Sequence, residues 1–280
     1  MKKINFLALC AITAGVITSC QKQELAEETA ETAAVEEISQ EHVDALWAAG
    51  VNPDGAKYGT VTHPGEEPLD VLLVSDYVIA LDNLAEQALA VVESKDGTVG
   101  KQYRTNNLVT DTNISIIGYT GSGFALTSTM RTALQWAVNN YNRLNSDLTF
   151  SLSYAASTNA DMVVYNNGQS GGGGAAGFPS GGQPYKWVQI NAGTDSFGTN
   201  VVEHVMTHEI GHSIGFRHQD WFSRQSCGSN QNEGTAGVGA ILISGTPSSD
   251  TADSIMLACF AGNEDGEFSS TDITAIQTLY

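Results

Sequence analysis

Three histidines and a glutamate fall within eleven residues, His208-Glu-Ile-Gly-His-Ser-Ile-Gly-Phe-Arg-His218, which holds half of the chain's six histidines. On a helix, His208 and His212 project from one face about 6 Å apart along the axis, so both rings can reach one metal ion at roughly 2.0–2.1 Å. Glu209 then sits beside that ion, where a carboxylate can take a proton from water. Gly215 can adopt a positive φ, end the helix and turn the chain back, which delivers His218 as a third ligand. Three protein ligands leave one position open, the form of a catalytic rather than a structural zinc site. The expected cofactor is one Zn2+ ion, with Glu209 as general base.

The stretch HEIGHSIGFRHQDW, with GAAGFPSGGQPY upstream (Gly174–Tyr185) and SIMLAC downstream (Ser254–Cys259), resembles the dual-action HEIGH metallopeptidases, a metzincin-type family. The resemblance covers about Lys101 to Tyr280. It implies an α+β zincin domain: a twisted mixed sheet, long helices, an active-site helix and a smaller C-terminal subdomain. It implies hydrolysis of protein or peptide substrates, and it makes Met256 the methionine that floors the metal. Gln219 and Ala258 stand where astacin-type metzincins have a Glu and a Tyr, so no tyrosine ligand is expected there. Two other classes stay open: a zinc-containing surface lipoprotein that binds without hydrolysis, and a zinc hydrolase of non-peptide bonds. The intact Glu209 argues against the first, and the family resemblance against the second.

The elements that would position this chemistry come from patterning. Ile114–Tyr119 reads as a strand. Apolar positions from Leu126 to Leu144 recur at helical spacing, and Leu148, Phe150, Leu152 and Tyr154 alternate as in a strand. Asp161–Tyr165 and Lys186–Asn191 are further short strands, the latter a candidate for the sheet edge that pairs with substrate. Asn200 with Glu203 reads as a capping box for the zinc helix, and Ser269 with Asp272 as another for the C-terminal helix. Asp220 is a candidate carboxylate to orient a ligand histidine. His204, one turn before His208, reads as structural. Gly168 to Gly182 is glycine-rich without a phosphate-binding pattern. Asn263–Glu267 lacks the spacing of a calcium loop and reads as a solvated turn.

Residues 1–19 read as a signal peptide, and the Ile-Thr-Ser-Cys at its junction resembles a bacterial lipobox with Cys20 as the lipidated residue. The expectation is an exported lipoprotein of the cell envelope, meeting the membrane only through that anchor. Cys10 leaves with the signal, so Cys227 and Cys259 remain as a pair for a disulfide worth about 3–4 kcal/mol. Residues 20–41 form an acidic tether. With 17 acidic and 3 basic side chains over residues 21–100, the N-terminal part carries a net charge of −14, within −19 for the whole chain. Such a surface repels nucleic acid and anionic lipid. Residues 42–100 read as a propeptide, with one strand over Leu69–Ile79 and a short helix from Leu81 to Val92, ahead of a catalytic domain at 101–280. Asp76 is the candidate latency group on zinc and His63 a second; the alternative is that Asp76 merely ends a strand.

Overall fold

The computed structural model describes residues 37–48, 51–81, 102–235, 238–246 and 252–280. Cys20 and nearly all of the expected tether and of the Leu81–Val92 helix lie outside them. Helix α1 (Gln40–Ala48) leads into an antiparallel meander of β1 (Lys57–Val61), β2 (Leu69–Val74) and β3 (Tyr77–Ala80). The single strand expected over Leu69–Ile79 is therefore two. Val74 pairs with Tyr77, and the chain reverses at Ser75-Asp76, where Ser75 takes φ +59°. The apolar alternation runs on either side of the turn, so the only local sign of reversal is a polar pair of turn-forming residues.

After β4 (Tyr103–Arg104) the chain builds a five-stranded sheet. β5 (Asn113–Tyr119) lies parallel to β6 (Thr149–Ala155), and the crossover that parallel pairing requires is α2 (Ser128–Asn142), capped by the Thr127 hydroxyl. β7 (Met162–Asn166), β8 (Gly174–Ala175) and β9 (Trp187–Ile190) complete it in the order β6-β5-β7-β9-β8, with only β8 antiparallel. β9, the expected edge strand, is interior, and β8 from the glycine-rich segment forms the edge. Met162 to Tyr165 are all buried, as befits a strand covered on both faces.

The zinc-motif helix, α3 (Thr199–Ile214), is buried along its whole length from Val201, and Tyr141 of α2 donates to Thr207 O at 2.9 Å. The expected capping box is not formed. Gly198 is the N-cap without a side-chain bond, and Glu203 instead accepts from Asn140 Nδ2 at 2.8 Å across the α2–α3 seam. Tertiary burial outcompetes the local cap. Two short strands, β10 (Phe216–Arg217) and β11 (Ile241–Leu242), flank β4. The last helix, α4 (Ser270–Leu279), has the expected box, Ser269 with Asp272. Asp272 also accepts from Ser254 Oγ and Ile255 N, so this cap anchors the segment that leads to Met256.

Two apolar clusters form. The larger joins β5, β6, β7, β9 and all three helices α2 to α4; the smaller gathers Leu46, Val51, Leu72, Val74 and Ile79 of the N-terminal region, with Phe178 and Val238 at its border. Contacts group residues 36–280 into one compact unit. Among the described residues no helix is long and apolar enough to cross a membrane.

Candidate metal centre and cleft

His208 and His212 lie one turn apart on α3. Gly215, at φ +118°, ends the helix, and its N–H returns to Gly211 O and His212 O. A side chain there would meet Leu108 and Thr105, so glycine is required both for the turn and for the fit. The turn carries His218 back to the helix. Its Nε2 stands 3.2 Å from Nε2 of His208 and 3.2 Å from Nε2 of His212. His208 Nδ1 donates to Ile255 O at 2.7 Å and His212 Nδ1 to Phe216 O at 2.8 Å. A carbonyl can only accept, so each Nδ1 carries its proton outward and each Nε2 is turned toward the other rings.

Asp76, at the tip of the β2–β3 turn, closes the group. Its Oδ2 lies 2.8 Å from His218 Nε2, 3.5 Å from His208 Nε2 and 4.0 Å from His212 Nε2. Burial alone would push this carboxyl up, but His218 and the other two rings hold it well below the usual range. These four are the only cluster of three or more metal-type donors among the described residues. Converging lone pairs beside a half-buried carboxylate need positive charge among them. Donors about 2.0–2.1 Å from one tetrahedral ion would stand about 3.3 Å apart, so the histidine spacing fits zinc. Asp76 Oδ1 and Glu209 Oε2 are buried without a hydrogen-bond partner, as polar atoms are where a further charged or polar group is to be met.

Glu209 sits beside this cluster at the floor of a cleft of about 400 Å³ lined by Gly174, His204, Val205 and Phe260 among others. Burial raises its carboxyl well above the ordinary range, with the charge of Asp76 adding to the effect. Edge strand β8 passes close above: a Cβ on Gly174 would come 2.8 Å from Glu209 Cγ and 2.6 Å from Gln189 O. Met256 is buried under α3, its sulfur so near Gly211 that a Cβ there would approach to 2.7 Å. His204 is buried, with Nε2 unpartnered, Nδ1 3.9 Å from Glu264 and the charged form disfavoured. Glu264 caps Ala261 N within the 263–267 turn.

Asp220 orients no histidine. Its oxygens accept from Ser226 N and Oγ and from Ala258 N, at 2.7 to 3.0 Å, and so tie the loop after the motif to the cleft wall. Cys227 and Cys259 are disulfide-bonded beside it. The carboxylate on a ligand ring is Glu233, whose oxygens lie 2.8 and 2.9 Å from His218 Nδ1. Sequence reasoning missed it. The available signal was its isolation as the sole acid between Asp220 and Asp250. His63 is remote from the metal group: it stacks on Trp187 at 4.6 Å, and its Nδ1 meets Tyr165 Oη at 2.7 Å.

No curated protein matches this sequence. Among solved structures, one of myroilysin is 14% identical with a TM-score of 0.39, covering 60% of this chain and 80% of that one. A crystal structure of myroilysin is 16% identical with a TM-score of 0.38, covering 68% and 88%. The sequence profile of the dual-action HEIGH metallopeptidases matches residues 71–280. This match, together with the three converging imidazoles and the adjoining buried glutamate, means that the chain belongs to the dual-action HEIGH metallopeptidase family.

Proposed function

We propose that the protein is an exported, lipid-anchored zinc endopeptidase, held latent by its own N-terminal hairpin. The observation that carries the reading is the meeting of His208, His212 and His218 Nε2 atoms beside an unpaired Glu209 Oε2 in an open cleft. His208, His212 and His218 hold the ion, and Met256 floors it. When bound, zinc supplies Lewis acidity toward water and the scissile carbonyl. Glu209 Oε2 takes the proton of the attacking water and passes it to the departing amine nitrogen. Its buried, basic carboxyl suits that exchange. The peptide lies along β8, the outer strand of the five-stranded sheet, where Gly174 lets a backbone approach the base.

Asp76 supplies the latency. It stands where water and substrate would have to enter, and it belongs to a sheet with its own apolar cluster. The lipid anchor at Cys20 rests on the sequence of the export signal alone. The test is zinc content and casein hydrolysis of the full mature chain beside Asp76→Ala and Glu209→Ala. Casein cleavage that rises in Asp76→Ala, and vanishes when Glu209→Ala is added, supports both parts. Equal activity in wild type and Asp76→Ala would remove the latch, and zinc-loaded Asp76→Ala without cleavage would remove the peptidase.

A further inference from the structure

The three imidazoles are not held alike. His208 and His212 are fixed by the helix that carries them and by backbone carbonyls behind each ring. His218 lies beyond the helix end, on a turn, and its second nitrogen faces the carboxylate of Glu233. Glu233 is itself fixed. Its N–H donates to Trp221 O at 2.8 Å, and its carboxylate lies 3.8 Å from Arg217 Nη2 and 3.4 Å from Arg224 Nε. Tyr77 of β3 donates to its Oε2 at 3.1 Å. Both the ring and the acid are buried.

We infer that Glu233 is the positioning residue of the metal centre. Its carboxylate accepts the hydrogen bond of the His218 Nδ1–H, which would leave the Nε2 lone pair for the ion and sets the plane of the ring. An ionised acceptor does this more strongly than a carbonyl and makes the imidazole a better donor to the metal. The helix cannot perform this task for His218, since the residue follows the left-handed turn at Gly215. This role rests on the zinc-site reading above. A purely structural role would instead be to neutralise Arg217 and Arg224 and to secure the loop that pairs Gly234 with Val51.

The experiment is zinc affinity of the full chain by competition with a chromogenic chelator, together with the melting temperature of the metal-free protein. Glu233→Gln keeps size and an acceptor but loses the charge, and is expected to weaken zinc binding about 10- to 100-fold. Arg224→Gln removes a cation from the same carboxylate and is expected to change the constant by no more than about twofold. A Glu233→Gln constant equal to wild type, or raised no further than in Arg224→Gln, would overturn the inference even if the melting temperature fell. Should Glu233→Gln not fold, Glu233→Asp, which draws the charge back by one methylene, is measured against the same criterion. His212→Ala separates the two levels. If it keeps wild-type affinity, the metal site itself is misplaced; if it loses zinc while Glu233→Gln does not, only the role of Glu233 falls.

Discussion

The N-terminal meander and the catalytic region are stabilised in different ways. The catalytic region is bound together by one continuous core in which α2, α3 and four strands share buried side chains. The meander has a smaller cluster of its own, Leu46, Leu72, Val74 and Ile79, which Phe178 and Val238 border, and it meets the rest through backbone bridges and through polar and aromatic side chains. Asp76 meets the histidines, Tyr77 meets Glu233, and His63 meets Tyr165 and Trp187. The comparison teaches that the meander has an apolar cluster of its own yet meets the rest of the compact unit at several places, of which the metal group is one.

The largest effect should fall wholly within the catalytic region. In the Asp76→Ala background, Glu209→Gln should lower peptide hydrolysis by about 10²–10⁴-fold while zinc content stays at wild type. A loss below tenfold would take the proton transfer away from Glu209. Next comes the disulfide. Cys227→Ser with Cys259→Ser should destabilise the catalytic region by about 3–4 kcal/mol in thermal unfolding, given the closed loop between two residues 32 apart. Unchanged latency in that variant would sharpen the separation of the regions; hydrolysis gained by it would break it.

Truncation in either core gives a direct contrast. Leu46→Ala and Leu134→Ala each remove a fully buried side chain and should each cost about 2–5 kcal/mol. Leu46→Ala should raise casein hydrolysis of the full chain and leave the main unfolding transition in place, whereas Leu134→Ala should lower that transition. If Leu46→Ala shifts the main transition as far as Leu134→Ala does, the two regions are one cooperative unit.

The smallest effect is one of sign. Burial pushes His63 down to about 4 from 6.5, so the folded meander keeps this ring neutral. Its contribution is complete above the unfolded value and is lost as pH falls toward about 4. Burial, with Glu267 adding, pushes Glu203 up to about 7 from 4.5. That contribution is complete below 4.5 and is lost as pH rises toward about 7. Between those ordinary values acid should loosen the meander and tighten the α2–α3 seam, each on the order of 1 kcal/mol. Hydrogen exchange of residues 57–80 and 128–142 at pH 5 and 6.5, beside His63→Phe and Glu203→Gln, measures both. Protection that moves in the same direction in both segments would contradict the assignment.

What was legible in the sequence was what local geometry controls. His208 and His212 follow from one helical turn, Gly215 from the turn that needs a left-handed residue, and Ser269–Asp272 from a cap that lies three residues apart. In the parallel sheet, β5 and β7 could be read from short apolar runs and β6 from its alternation. Less legible were features decided by partners far along the chain. Glu203 abandons a local cap because Asn140 offers a buried bond, and β9 lies inside the sheet because a short glycine strand pairs beyond it. Sequence offers Asp76 as one of two candidate metal-facing groups, or else as a strand end, and it reads the hairpin as one strand, since pleat alternation does not register a two-residue reversal. Glu233 lies 15 positions from the ring it bonds, and nothing in spacing links them; Asp220, two positions away, was the natural choice and serves the disulfide loop instead.

Gly174 has a consequence for how such a site can change over evolutionary time. With Glu209 Cγ and Gln189 O both inside the space a methyl group would fill, the strand above the cleft and the Glu209 carboxylate below it are spaced by a missing side chain. Any other residue must either push the strand off its neighbour or turn the carboxylate out of line. The two can therefore be altered only together, and selection for new substrates has to act on the other walls of the cleft, at positions such as Leu257 and Phe260, where a larger or smaller side chain leaves the catalytic spacing alone.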